Sequence, residues 1–212
     1  MTDGRGERKK RANGEASRQR ILDAAAEIAG ERGYEGTSIA LVSAKCGLPA
    51  SSIYWHFKNK DDLIAAVIES SFGIWLDALA LPADLAPDLS YDLVDALAAQ
   101  IGKALLDHSD FLRLGLMLVL ERRPDEPSAR TMFLKVRHTA HTRIAEMFGQ
   151  FAPGLDHDTV HLLATYAVAA ADGLFIAKEI GGDDIDLIRL FEVHARALYD
   201  LITRLTGAPP AG

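Results

Sequence analysis

The sequence predicts an all-α protein in which a small N-terminal unit of three helices precedes a larger helical unit. Apolar residues recur three and four positions apart along most of the chain, and glycine and proline divide these periodic segments. No segment alternates apolar and polar residues for long enough to predict a sheet. With 212 residues and 49% apolar content, the chain can bury a substantial core.

The first predicted helix covers 17–32. Ser17 is a suitable cap, the apolar residues that follow share one face, and Gly33 ends the helix. Before it, 1–14 is predicted to be a basic disordered tail, and an arm that follows a phosphate backbone or enters a minor groove stays open as the alternative. The cations concerned are Arg5, Arg8, Lys9, Lys10 and Arg11, followed by Arg18 and Arg20.

Two short helices separated by a tight turn are predicted next. Thr37 or Ser38 can cap the first, Gly47 permits the left-handed backbone that ends it, and Pro49 favours the start of the second over 50–57. This is the pattern of a helix-turn-helix that reads DNA. In the second helix, the apolar pair at positions 53 and 57 faces inward.

The remaining faces of the second short helix carry small, hydroxyl and aromatic side chains. Exposed aromatic groups are costly unless a partner covers them, and such side chains can bond phosphates or base edges. A cation at the start of the next helix is unfavourable unless an anion, such as a DNA phosphate, lies beside it. The predicted DNA contacts are Thr37, Ser38, Ala50, Ser51, Ser52, Tyr54, Trp55, His56 and Lys60.

Charge is distributed unevenly along the chain. Residues 1–60 hold 11 Lys or Arg against 7 Asp or Glu, a net charge of +4, whereas 61–212 hold 12 against 23, a net charge of −11. The positive charge therefore lies with the predicted DNA reader, although the whole chain has a formal net charge of −7.

Five further helices are predicted after a proline-bounded linker, at about 90–107, 111–123, 127–150, 157–180 and 185–206. The last helix has a wider apolar stripe than one partner needs, and the helix before it offers small residues that permit close approach. Burial within one subunit is the alternative to a four-helix dimer interface. The predicted dimer contacts are Ala167, Ala171, Ile188, Phe191, Ala195, Leu198 and Ile202.

Short motifs in the first third of the chain resemble the DNA-binding domain of TetR-family transcriptional regulators. They are RQRILDAA at 18–25, GY at 33–34, GT at 36–37, CGL at 46–48 and IYWHFKNKDDL at 53–63. The resemblance covers about 15–75, and it departs from the commonest pattern at Pro49 and Ser51. It implies a homodimer that binds a palindromic operator.

The resemblance also implies a cavity in the middle helices for a small, largely apolar effector. Occupancy of that cavity would shift the separation of the two DNA-reading heads and weaken operator binding. The candidate effector contacts are Trp75, Phe111, Arg113, Met117, His138, His141, Tyr166 and Asp172.

The sequence gives little support for a metal site, a catalytic site or a cofactor site. His157 and His161 are four apart and His138 and His141 three apart, spacings that suit zinc, but no third ligand is apparent, so no metal site is predicted. Motifs of nucleophilic, phosphate-binding and dinucleotide-binding sites are missing, so neither catalytic residues nor a cofactor are predicted.

Localisation is predicted to be cytoplasmic. The single cysteine excludes an internal disulfide and suits a reducing compartment. The first 20 residues lack a secretory signal, and the longest weakly polar run, 162–177, is shorter than the roughly 18 to 20 residues that span a bilayer.

The predicted domains are therefore a basic tail over 1–14, a helix-turn-helix DNA-binding domain over 15–62, an effector-binding and dimerisation domain over 63–206, and a tail over 207–212. The favoured function is a homodimeric repressor that a small molecule releases from DNA. Two alternatives stay open: a DNA-binding regulator without a ligand, or a helical enzyme or metal protein.

Overall fold

The computed structural model describes residues 4–79, 91–121 and 127–207, without the side chains of 4–11. These residues form helices and no strand, so the predicted all-α class is confirmed. The helices are α1 (Gly4–Gly36), α2 (Ile39–Cys46), α3 (Ala50–His56), α4 (Lys60–Ala78), α5 (Tyr91–Asp107), α6 (Asp110–Leu120), α7 (Ser128–Phe151), α8 (His157–Gly181) and α9 (Leu187–Thr206), with a 3-10 turn at Gly182–Asp184.

Helix α1 is longer than predicted at its N-terminal end. It begins at Gly4, so the predicted disordered tail is corrected to helix over 4–14, while 1–3 lie outside the described residues. Glu, Lys and Arg favour helix, and Glu7 and Arg11 have the favourable spacing of four. At its other end Gly33 interrupts the helix with φ 69° and ψ −178°, which confirms the predicted break.

Contacts divide the chain into two compact units. The first combines Met1–Phe72 with Asp110–Leu134, and the second combines Gly73–Ser109 with Lys135–Gly212. The first unit therefore includes residues that the sequence assigned to the C-terminal domain. The reason is that α6 packs on α1, a contact between segments about 80 residues apart that no local pattern shows.

The first unit is built around α1, the two short helices, most of α4 and α6. Its innermost side chains are fully buried aliphatic groups, and Gly115 of α6 lies so close to the ring of Phe133 that an added Cβ would be 2.0 Å from it. The Phe72 and Phe111 rings meet edge to face, with centroids 5.4 Å apart. The largest of the fully buried side chains are Ile21, Ile53, Leu63, Ile64, Ile68 and Leu114.

In the second unit, α9 packs along α5 and beside α8. Tyr91 on α5 donates a hydrogen bond of 2.6 Å to Asp200 on α9. At Gly102 an added Cβ would be 3.2 Å from the Ile188 Cα, so glycine permits this close helix approach. A second core cluster joins α7, α8 and α9 and comprises Ala145, Phe148, Val160, Leu163, Ala164 and Leu198.

One helical stretch, His157–Asp184, is long and apolar enough to cross a membrane by length and composition. The prediction that this region is too short is therefore corrected, because the observed helix extends past both ends of 162–177. Length and composition alone are weak evidence, since helices of soluble proteins pass the same test. Asp172 within it forms a partly buried ion pair with Arg137, and burial raises the pKa of this carboxyl against the opposing effect of that guanidinium.

Asp61 joins the beginnings of α4 and α7 in the first unit. Its carboxylate accepts hydrogen bonds from the backbone N–H of Ser128 at 2.5 Å and of Ala129 at 3.2 Å, and so caps the first turn of α7. The hydroxyl of Tyr34 donates to the same carboxylate at 3.2 Å. A single side chain in α4 thus orients a helix that lies 67 residues further along the chain.

We expect Asp61→Ala to lower the free energy of unfolding by about 1 to 2 kcal/mol, because it removes a charged cap and leaves helix amides unpaired. Asp61→Asn keeps one acceptor oxygen and should lose less. Urea denaturation followed by circular dichroism measures both. Glu31→Ala, which removes the same charge from an exposed position in α1, is the control, and the interpretation fails if Asp61→Ala loses no more stability than this control.

Candidate nucleic-acid interface

The turn between α2 and α3 is fixed by hydrogen bonds from both sides. Ser38 caps α2 by accepting from the Leu41 N–H, so of the two predicted caps Ser38 is the one used. Gly47 ends α2 with φ 67°, and its N–H donates to the Ser43 carbonyl at 3.0 Å. The Ser43 hydroxyl donates to the Leu48 carbonyl at 2.6 Å. These contacts set the direction in which α3 leaves the turn.

Helix α3 is held from behind and presents aromatic side chains at the front. Ile53 and Phe57 are buried, as predicted, and Pro49 stands at the N-cap without a side-chain hydrogen bond. Tyr54 and Trp55 are 56% and 76% exposed. The remaining predicted contacts on this helix are exposed at Ser51 and half-buried at Ala50 and Ser52.

His56, a predicted DNA contact, is bonded to Ser17 and lies against Trp55. The Ser17 hydroxyl donates to the Gly14 carbonyl at 2.9 Å, so its oxygen accepts the Nε2–H of His56, 3.1 Å away. Burial and the Arg18 guanidinium lower the pKa of His56. Its ring meets Trp55 edge to face at 4.5 Å between centroids, which supports the exposed indole.

Two cations predicted to follow the phosphate backbone, both exposed, also make contacts within the fold. Arg20 donates to the Cys46 carbonyl at 2.6 Å and so satisfies the end of α2. The Arg18 guanidinium lies over the Phe57 ring, 5.4 Å from its centroid. The predicted cations at 5, 8, 9, 10 and 11 have side chains outside the described residues.

Thr37 and Lys60 are also tied into the first unit. Thr37 is 2% exposed and donates to the Gly33 carbonyl at 2.8 Å, so its prediction as a DNA contact is corrected to a core contact. Lys60 donates to the Tyr34 carbonyl at 3.1 Å, and Glu35 lies 3.6 Å from its ammonium. The carbonyl of Tyr34 and the carboxylate of Glu35 therefore lie beside this ammonium, and a phosphate would have to share it with them.

Lys58 is a candidate that the sequence interpretation missed. It is exposed directly after the buried Phe57, and its backbone N–H donates to Asp62 at 3.1 Å, which fixes the backbone and leaves the side chain in solvent. The signal in the sequence is a lysine next to an anchored aromatic residue at the end of α3. By contrast, the exposed Lys45 on α2 is paired with Glu27.

The residues of this surface match a known protein family. The model of bacterial regulatory proteins of the tetR family matches residues 21–67, which include all of α2 and α3. Over these residues the chain matches the tetR family. This match confirms the predicted resemblance over residues 21–67.

Relatives within the family match mainly this N-terminal part. The chain is 36% identical over 64 residues to the HTH-type transcriptional regulator AcrR of Shigella flexneri, covering 30% of each protein. It is 30% identical over 121 residues to the tetracycline repressor protein class D of Escherichia coli, covering 57% of this chain and 52% of the repressor. The chain is thus matched over less than two thirds of these relatives.

A solved structure of a transcriptional regulator of the TerR/AcrR family from Aquifex aeolicus VF5 shares the fold with a TM-score of 0.67. The superposition covers 87% of this chain and 99% of that chain at 19% identity. At this identity the likeness establishes the tetR-family fold alone, including the helical region beyond the N-terminal domain.

The residues predicted to contact an effector do not all lie in one compact unit. Phe111, Arg113 and Met117 on α6 belong to the first unit, and the other five belong to the second. Phe111 is buried, whereas Met117 is exposed and packs its methyl group near Gly33. These residues remain candidate effector contacts.

In the second unit, several candidate effector residues already have protein partners. Asp172 pairs with Arg137, and the Tyr166 and His194 rings are 5.7 Å apart. His138 is exposed, and Trp75 is half-buried in α4. His141 lies beside α8 in a group of histidines.

The predicted dimer stripe on α9 mostly faces its own chain. Phe191 and Leu198 are buried, and Ile188 and Phe191 pack on Gly102 of α5. Ile202 and Ala167 flank the core cluster, and the other small residues of the prediction, Ala171 and Ala195, are half-buried. A helix packed between α5 and α8 needs apolar residues toward both, which accounts for the buried part of the stripe. The half-buried residues stay predicted dimer contacts.

Lowering the pH should destabilise the fold in part through His56 and His194. Burial lowers the pKa of His194, as it does that of His56, below the ordinary value of 6.5. The unfolded chain therefore binds protons first, and stability falls as the pH drops through 6.5 toward the folded pKa values. Melting temperatures at pH 7.5 and 5.5 measure this effect.

The double variant His56→Gln, His194→Gln should show a smaller difference between these melting temperatures than the native chain. Gln at position 56 keeps a donor for Ser17, so the variant retains the contact while removing the titration. An equal difference in both proteins would contradict the assignment. His108→Gln, at the end of α5, is the matched control and should leave the difference unchanged.

Proposed function

We propose that the chain is a homodimeric transcriptional repressor that acts in the cytoplasm and binds a palindromic operator. The observation that carries this proposal is a short helix, locked from behind by buried Ile53 and Phe57, whose front exposes Tyr54 and Trp55. Solvated aromatic side chains on such a rigid support are favourable only when a partner covers them. The tetR-family match over the same residues supports double-stranded DNA as that partner.

Each exposed group on this surface has a role that follows from its chemistry. The phenol of Tyr54 can donate to a phosphate or a base edge, and the indole of Trp55 offers an N–H and a large apolar face. Ser38 and Ser51 add hydroxyls at the starts of α2 and α3. Lys58 supplies a mobile ammonium beside α3, which suits a phosphate and carries no base preference.

An uncovered apolar stripe on α8 supports dimer formation. Leu162 and Ile180 are 69% and 82% exposed and stand near the two ends of this helix. The residues between them repeat at steps of four and three, so that one face of the helix is apolar and exposed along its length. The stripe comprises Leu162, Tyr166, Ala169, Gly173, Ile176 and Ile180, and α9 adds Val193, Leu201 and Leu205.

We assign this stripe to a second copy of the chain. Two copies of α8 and α9 would form a four-helix interface in which Ala169 and Gly173 permit close approach. A two-fold dimer presents two α3 helices and therefore reads two half-sites of opposite direction. The sequence also predicted a four-helix interface of these two helices, and the exposed residues of α8 now define its proposed contact face.

We propose further that a small, largely apolar effector releases the repressor from DNA. Support comes from the family and from the name of one relative, a tetracycline repressor. An effector would act by preferring the dimer conformation that binds DNA poorly, and a coupling of about 1 to 3 kcal/mol is typical of such linkage.

Selection of bound fragments from random DNA tests the function directly. We expect enrichment of one short palindrome with half-sites about one helical turn apart. Tyr54→Ala and Trp55→Ala should each weaken binding to it by about tenfold to hundredfold, because each loses contacts in the groove. Recovery of no enriched sequence even at low salt would refute the proposal.

Lys58→Ala should weaken binding to all DNA sequences and reduce the slope of log affinity against log salt by about one. Lys103→Ala removes an exposed cation, paired with Asp107, from α5, distant in sequence from α3, and should leave the slope unchanged. If both variants change the slope equally, the contact is not local to α3.

Ile180→Glu should dissociate the dimer, since it buries a carboxylate without a partner in the proposed interface. The expected increase in the dimer dissociation constant is about hundredfold or more, measured by sedimentation velocity. Arg143→Glu places the same new carboxylate on an exposed position of α7 and should stay dimeric. A native chain that is monomeric at micromolar concentration would overturn the assignment.

A further inference from the structure

Three histidines from two helices form a group in the second unit that DNA binding and dimerisation leave unexplained. His157 and His161 lie one turn apart on α8, and His141 approaches them from α7. The ring centroids of His157 and His161 are 4.3 Å apart, and those of His141 and His161 are 5.2 Å apart. We propose that these three imidazoles bind one zinc ion.

The spacing of the rings suits a shared ion. With zinc about 2.1 Å from a ring nitrogen, two imidazoles on one ion have ring centres about 4.6 to 5.3 Å apart. The separation of 5.2 Å between His141 and His161 lies within this range, and the separation of 4.3 Å between His157 and His161 lies below it. The i and i+4 positions on α8 supply two ligands from one helix face, and the third from α7 is the ligand that the sequence did not reveal.

Hydrogen bonds determine which nitrogen of His141 is available. The Thr165 hydroxyl donates to the His161 carbonyl at 2.9 Å, so its only hydrogen is used. Its oxygen therefore accepts the Nε2–H of His141, 3.1 Å away. In the neutral ring this leaves the lone pair on Nδ1 for a metal, with Thr165 holding the ring from the other side.

Carboxylates complete the surroundings of the site. The Asp158 Oδ1 lies 3.5 Å from the Nδ1 of His157, a position from which it can orient the ring while Nε2 faces the ion. Asp156, which caps α8 through the Thr159 N–H, adds a second negative charge near the same helix end. Both carboxylates favour a cation at this position over an anion.

Zinc binding requires the three imidazole rings to rotate toward one common point. As the side chains stand within 4–79, 91–121 and 127–207, no group of three His, Cys, Asp or Glu could hold a metal ion. The His157 side chain is exposed and His161 is exposed, so their rotation displaces only solvent. Three protein ligands leave a fourth tetrahedral position for water.

The test uses the full chain without a histidine tag, titrated with zinc chloride in competition with a chromophoric chelator. We expect one equivalent of zinc per chain, with X-ray absorption reporting about three nitrogen neighbours at roughly 2.0 to 2.1 Å. His161→Gln should weaken binding by more than tenfold. Thr165→Val, which removes only the orienting hydroxyl, should weaken it by about 10-fold to 100-fold.

His108→Gln, in the same unit but outside the group, is the control and should bind zinc as the native chain does. The proposal is overturned if native protein binds zinc no more tightly than His161→Gln, if His108→Gln loses as much affinity, or if stoichiometry is half an equivalent per chain. Circular dichroism of each variant separates loss of the site from loss of the fold. His161→Ala provides a second substitution if Gln at this position disturbs α8.

Discussion

The way α2 ends is the constraint on which the DNA-reading surface depends. At Gly47 the backbone takes a left-handed conformation that a side chain would strain, and the Arg20 guanidinium satisfies the Cys46 carbonyl that the helix end leaves over. These contacts aim α3 so that Ile53 enters the core, and the helical period then places Tyr54 and Trp55 in solvent. The exposure of these side chains on α3 therefore follows from the way in which α2 ends.

Local signals in the sequence were sufficient wherever one residue and its nearest neighbours decide the structure. The glycine stop, the inward pair on α3 and the later helices were predicted because caps, breaks and periodicity act within a few residues. Two adjacent hydroxyls at 37 and 38 were indistinguishable as caps, and only the fold places one in the core and the other at the helix start.

Predictions that required long-range contacts fared less well. The partner of Lys60 is a carbonyl 26 residues away, and nothing near Lys60 in the sequence indicates it. The apolar stripe on α9 was ambiguous, because the sequence does not indicate whether such a face packs on its own chain or on a second copy of the chain. Its packing depends on α5, which lies about 90 residues earlier in the sequence. For the same reason the histidine spacing on α8 indicated only two ligands, while the third comes from another helix.

Helices α4 and α7 each contribute residues to both compact units, and Asp61 ties their first turns together. The proposed effector would change operator affinity only by its differential affinity for two conformations, and these would have to differ at a part of the chain that α3 and the ligand both influence. The start of α4 follows α3 by only a few residues and is bonded to the start of α7. Any shift of α7 along its axis must then either carry α4 with it or break the Asp61 cap, and the second outcome loses hydrogen bonds to a charged group. Movement of the two helices together is therefore the less costly response.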